Sequence, residues 1–155
     1  GNTHTETSFT GSVMTKAYAK AKKTIKDHVH ANEDDVLLFC GSGMTGAINK
    51  LQRMLGIRYP ERVKSFTRRK NPLVQFLSGI RVPKHMRPVV FISHMEHHSN
   101  HTSWLETIAD VEIVRCNAEG LVCLETFEKT VAKYKHRKLK IASITACSNV
   151  TGIIT

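Results

Sequence analysis

Short apolar runs alternate with helix-patterned stretches along this chain, and that alternation limits its fold more than any other feature. Residues 36–40, 88–93, 111–116 and 139–145 are apolar, bounded by turn-forming residues, and too short to be helices of ordinary length. They read as buried strands, and residues 122–124 as a small extra one. Between them the spacing is helical. Residues 12–29 place Val13, Ala17, Ala21 and Ile25 on one face, with Ser12 as the N-cap. Residues 47–55 do the same with Ile48, Leu51 and Leu55, and further helices are predicted over about 103–109 and 126–135. Strands in alternation with helices predict βαβ units and a mostly parallel sheet covered on both faces. The expected fold class is α/β.

At 155 residues there is room for one domain. A hydrophobic content of 41% is enough to build a core, which excludes a disordered chain. No apolar run approaches the ~18 residues of a membrane span, and no basic-then-apolar signal pattern opens the sequence. Cys40, Cys116, Cys123 and Cys147 form no CxxC pair, so neither a zinc ribbon nor a disulfide framework is indicated. A reducing cytoplasm or organelle matrix is the expected compartment. The net charge of +10 invites a nucleic-acid reading, but residues 57–88 alone carry +8 of it. That stretch is either an anion-binding patch or a solvated face whose acidic partner lies elsewhere. Its aromatic content is thin and it holds no nucleic-acid motif.

Three of the predicted strands run into unusual polar loops: 41–46, 94–101 and 146–152. In open α/β sheets ligands bind beyond the carboxyl ends of the strands, so three such loops at one edge define a site. Gly41-Ser-Gly-Met-Thr-Gly46 joins a predicted strand to a helix, where close backbone approach and helix-start N–H groups favour a phosphate. It satisfies GxGxxG, yet the strand and acidic residue expected ~20 residues on are missing, and Ala47 stands where a Walker loop has lysine. An ordinary glycine-rich turn is the plain alternative. The second loop holds His94, His97, His98 and His101. Such imidazoles can bind zinc at i,i+4 spacing, stack on or exchange protons with a planar cofactor, or simply lie at the surface. In Ala146-Cys-Ser-Asn-Val-Thr-Gly152 an Asn149 amide can donate to a phenolate or carboxylate, or the residues can merely form a turn.

Taken in order, Gly43-Met-Thr45, Met95-Glu-His-His-Ser-Asn100 and Ser148-Asn-Val-Thr-Gly152 resemble the class V aminotransferase family of fold type I pyridoxal-phosphate enzymes. The Glu-His-His-Ser-Asn string with Trp104 after it is most similar to the cysteine desulfurase and selenocysteine lyase branch. The opening Asn2-Thr-His-Thr5 before a long helix is also similar, whereas residues 57–83 look like a basic insertion. The resemblance implies part of a three-layer α/β/α large domain, incomplete in residues 1–155, with pyridoxal 5'-phosphate as cofactor. It implies that Gly43, Met44 and Thr45 hold the phosphate. His97 would stack on the pyridine ring and move protons as the catalytic histidine, and Asn149 would donate to the phenolic oxygen. His4 would approach an amino-acid substrate. A homodimer is implied for the full-length protein, and no metal, nucleic acid or membrane partner.

The family's Schiff-base lysine, carried in a Ser-x-His-Lys string, has no match here, since Lys135-His-Arg-Lys138 does not fit. The pyridinium-pairing Asp, the carboxylate-binding Arg and the small domain are likewise unmatched. The expectation is an N-terminal piece of the large domain that is inactive alone. Three rivals remain: a nucleotide- or dinucleotide-binding domain built on residues 41–46, a non-enzymatic basic module that binds nucleic acid through residues 57–88, and a metal site on the histidines of residues 94–101.

Overall fold

Among the described residues Val-Val-Phe-Ile-Ser is the most deeply buried stretch, and it forms the central strand. In the computed structural model, which describes residues 5–41, 43–58 and 82–155, β1 (Val89–Ser93) is buried at all five positions. It pairs in parallel with β2 (Asp110–Val114) on one side and β3 (Lys140–Ser143) on the other, in the order β2-β1-β3. Val90 lies opposite Val111 and Ile141, and Phe91 opposite Glu112 and Ala142. Because successive side chains point to opposite faces, this register sorts the core into two halves. Val90 and Ile92 pack with Ile48, Ile57 and Trp104 on one face; Val89, Phe91 and Val114 pack with Val122, Phe127, Val131 and Tyr134 on the other. The first half is roofed by α2 (Gly43–Met54) and α3 (His98–Leu105), the second by α4 (Leu124–Lys133). The layers are helix, parallel sheet, helix, which is the expected α/β class.

These elements lie in one of two compact units, Cys40–Thr155; the other is Gly1–Phe39. In the latter, α1 (Phe9–His28) begins where the Ser8 hydroxyl accepts the Gly11 N–H at 3.2 Å, so Ser12 lies within the helix rather than at its cap. Past the helix end, Asn32 Oδ1 accepts the N–H groups of Asp34 (2.8 Å) and Asp35 (3.2 Å) in a turn, and Tyr18 meets Phe39 edge-on at 5.0 Å. Residues 36–40, expected as a strand, form none. A strand exists only against a ladder partner, and none pairs with this run among the described residues; Val36 is 81% exposed.

The face of α2 is also not the one its leucines suggested. Ile48 and Gln52 are buried, whereas Leu51 and Leu55 are partly exposed. Gln52 is tolerated at full burial because its Nε2 donates to Ser103 Oγ at 2.6 Å and its Oε1 accepts from Arg58 at 3.0 Å. The helix stops at Gly56 (φ +66), where the Gly56 N–H bonds the Arg53 carbonyl and the Ile57 N–H the Gln52 carbonyl, a Schellman ending. That turn delivers Ile57 into the core, 3% exposed, and its carbonyl accepts the Ile108 N–H at 2.9 Å. Ile57 and Arg58, grouped by sequence with the basic stretch, therefore belong to the packed domain; residues 59–81 lie outside the described residues.

The remaining helices start earlier than their spacing suggested, α3 at His98 and α4 at Leu124. The extra strand at 122–124 is a single antiparallel bridge, Cys116 to Val122. Near the start of the strands the charges pair among themselves. Arg137 donates to Asp110 (2.6 Å) and to the Arg87 carbonyl (2.6 Å), Arg87 stands 3.7 Å from Asp110, and Tyr134 donates to Glu112. That bond, with burial adding to it, raises the Tyr134 phenol to about 12.

Candidate active site

The opposite end of the sheet is different in kind. Beyond Ser93 and Ser143, where β1 and β3 finish, a cavity of about 570 Å³ opens, within the range of small-molecule and cofactor sites. Its lining includes Met44 from the start of α2, Glu96 and His97 from the β1–α3 loop, and Thr145, Cys147 and Asn149 from the segment after β3. Three of the residues singled out by sequence, Met44, His97 and Asn149, thus come together from separate parts of the chain. Gly43 and Thr45 flank Met44 at the same helix start, exposed, without lining the cavity themselves. His4 lies outside the described residues.

Each group has a local cause. Gly43 opens α2 at φ +63, a conformation that side chains rarely adopt, and nothing stands within 4 Å of where a Cβ would project. The backbone there can be approached closely, and the first N–H groups of a helix have no intrahelical acceptor. His97 sits at the N-cap of α3, its Nδ1 accepting the Ser99 N–H at 3.2 Å and lying 2.8 Å from Ser99 Oγ. With Nδ1 engaged as acceptor, the neutral ring carries its proton on Nε2, and the ring itself is exposed. Asn149 rides on a tight turn in which buried Ser148 accepts the N–H groups of Val150 (3.3 Å) and Thr151 (3.2 Å) and donates its own N–H to Ile153. Its amide stays exposed.

One residue that the sequence reading passed over organises the rest. Glu96 Oε1 accepts from Ser93 Oγ at 2.7 Å and from the Thr145 N–H at 2.6 Å, while Oε2 accepts from Asn100 Nδ2 at 2.7 Å. Asn100 Nδ2 donates as well to Ser143 Oγ at 3.0 Å, and its Oδ1 accepts from the indole of fully buried Trp104 at 2.9 Å. The only sequence signal was a carboxylate directly before the candidate histidine, with an amide four positions on. Elsewhere, Thr126 Oγ1 donates to Cys123 Sγ at 3.1 Å and lowers that thiol, but Cys123 lies at the start of α4, apart from the cavity lining. Among the described residues no three His, Cys, Asp or Glu side chains converge as metal ligands, and no helix is long and apolar enough to cross a membrane.

A parallel sheet with an exposed imidazole and an exposed asparagine beyond its strand ends, beside the start of a helix, is an α/β arrangement of the kind that binds ligands at that edge. The family profile described as aminotransferase class-V matches residues 76–155, just over half of the chain, and the chain belongs to that family. Enzymes of this family act on amino acids and in general depend on pyridoxal phosphate. The chain is 24% identical over 145 residues to the cysteine desulfurase SufS of Plasmodium vivax, an alignment covering 90% of this chain and 21% of that protein. It is 26% identical over 157 residues to a probable cysteine desulfurase of Halalkalibacterium halodurans, covering 99% of this chain and 32% of that one. It therefore spans between about a fifth and a third of the length of these curated relatives. No solved structure matches it.

The described residues fit the family's cofactor. Gly43 is open at a helix start, His97 is exposed with Nδ1 engaged, and Met44, His97 and Asn149 line a cavity of about 570 Å³, which has room for such a group.

Proposed function

We propose that this chain is the cofactor-cradling part of the large domain of a pyridoxal-phosphate enzyme acting on an amino acid, of the cysteine desulfurase or selenocysteine lyase kind. The observation that carries the reading is the convergence of Met44, His97 and Asn149 on one cavity at the strand ends. In this reading the N–H groups of Gly43, Met44 and Thr45 and the Thr45 hydroxyl bind the phosphate. The His97 ring lies against the pyridine face and exchanges a proton at Nε2, because Nδ1 is held by Ser99. Asn149 donates its amide to the phenolic oxygen. When bound, pyridoxal phosphate supplies the electron sink that weakens bonds at the substrate's Cα. The full-length enzyme is a homodimer.

The 155 residues hold no Ser-x-His-Lys string, so this chain binds the cofactor reversibly and turns over no substrate by itself. Calorimetric titration with pyridoxal phosphate, NAD and inorganic phosphate tests this. Pyridoxal phosphate should bind, phosphate should compete with it, and NAD should not. Tight NAD binding without pyridoxal-phosphate binding would sink the reading, and sulfide release from cysteine by the isolated chain would overturn its inactivity.

A further inference from the structure

Glu96 stands at a junction that the roles of His97 and Asn149 do not account for. Its carboxylate takes three short hydrogen bonds, from the last residue of β1, from the first turn of α3 and from the backbone just past β3. Bonds to a charged acceptor are roughly twice as strong as neutral ones, so the carboxylate ties β1, α3 and the segment after β3 firmly to one another. His97 follows Glu96 directly. Asn149 lies four residues beyond Thr145, across a turn stiffened by its own bonds: Thr145 Oγ1 to the Cys147 carbonyl at 3.1 Å, and the Ser148 pairings. A displacement of Thr145 therefore carries Asn149 with it.

We infer that Glu96 is a positioning residue that couples the His97 ring to the Asn149 amide, so that one carboxylate sets ring-face and ring-edge contacts together. The inference rests on the cofactor reading for its purpose, but the coupling is a property of the chain alone. The orientation of the network is not interchangeable. Trp104 fixes which side of Asn100 is the acceptor, so Asn100 must present its amino group to Glu96.

That polarity supplies the test. In Glu96→Gln the new amide can keep accepting from Ser93 and Thr145 but confronts Asn100 donor to donor. Adding Asn100→Asp restores a donor–acceptor pair while leaving an oxygen for Trp104. Read by NMR without cofactor, the Asn149 side-chain amide signals should shift or broaden in Glu96→Gln and return in the double variant. Ser93→Ala, which removes one donor of three and keeps the fold, should give a smaller shift of the same sign. With cofactor, Glu96→Gln should lower pyridoxal-phosphate affinity about tenfold, as loss of one charged hydrogen bond does, and leave inorganic phosphate affinity unchanged. Asn149 signals that ignore both Glu96→Gln and Ser93→Ala would overturn the coupling, as would a folded double variant that fails to restore them. Failure of the unsubstituted chain to bind pyridoxal phosphate counts against the cofactor reading alone, because the amide signals are read in its absence.

Discussion

The two ends of the parallel sheet use their polar groups in opposite ways. Near the strand starts, charged side chains answer one another: Arg137 and Arg87 on Asp110, Tyr134 on Glu112. Near the strand finishes, one carboxylate is turned inward to hold the scaffold, while an imidazole, an amide and a helix start stay exposed around a cavity. At the first end the polar groups are paired with one another, although a cavity of about 480 Å³ lies among them, and at the second they are left exposed. The contrast separates residues that hold the fold from residues available to a ligand, although both sets lie about the same small sheet.

The largest effect should come from cutting what both ends share. Phe91→Ala removes the ring that packs edge-on against Phe127 at 5.6 Å and Tyr134 at 6.0 Å, and should cost about 3–5 kcal/mol in urea unfolding. Next, Arg137→Met keeps the side-chain stem but strips Asp110 and the Arg87 carbonyl of their donor. We expect about 1–3 kcal/mol of destabilisation by the same measurement, with pyridoxal-phosphate affinity unchanged in calorimetry. A changed affinity would break the separation of the two ends. His97→Ala should do the reverse: a fall of about tenfold in cofactor affinity, against the loss of a helix cap worth about 1 kcal/mol. Asn149→Ala should reduce cofactor affinity several-fold and move stability by no more than about 0.5 kcal/mol, since its amide is exposed.

The last effect is one of pH. The Tyr134 phenol is held up to about 12 when folded and titrates at its ordinary value when unfolded, so above that ordinary value the unfolded chain binds fewer protons than the folded one. Stability from this group is full below pH 10 and falls as the pH rises toward about 12. Thermal midpoints measured across that window should drop less steeply in Tyr134→Phe than in the unsubstituted chain.

The sheet was legible because residues 88–93 are apolar throughout and end in turn-forming residues, the pattern of a strand covered on both faces. Residues 36–40 carry the same pattern and form no strand, since composition says nothing of whether a partner is present to pair with. The start of α3 was hidden for another reason. His97 caps that helix with an imidazole nitrogen, and imidazole is not the oxygen acceptor that marks such starts in a sequence. At the site, Met44, His97 and Asn149 were visible because each sits in an unusual polar loop after an apolar run. Glu96 was not, because its importance lies in Ser93, Asn100 and Thr145, partners contributed by three different elements. Gln52 makes the same point in the core: an amide among apolar neighbours is explained only once Ser103 and Arg58 are seen beside it.

The strand order has a bearing on timing. β1 is central and fully apolar except at its end, yet its second neighbour, Lys140–Ser143, is encoded about 50 residues after it. As the chain emerges during synthesis, the stickiest strand is made well before both of its edges can be covered. Val89–Ile92 must wait, half-paired with β2, until the residues past 140 arrive. Ribosome pausing or cleavage between 114 and 140 would leave that strand with one bare edge, the form most prone to pair with another copy.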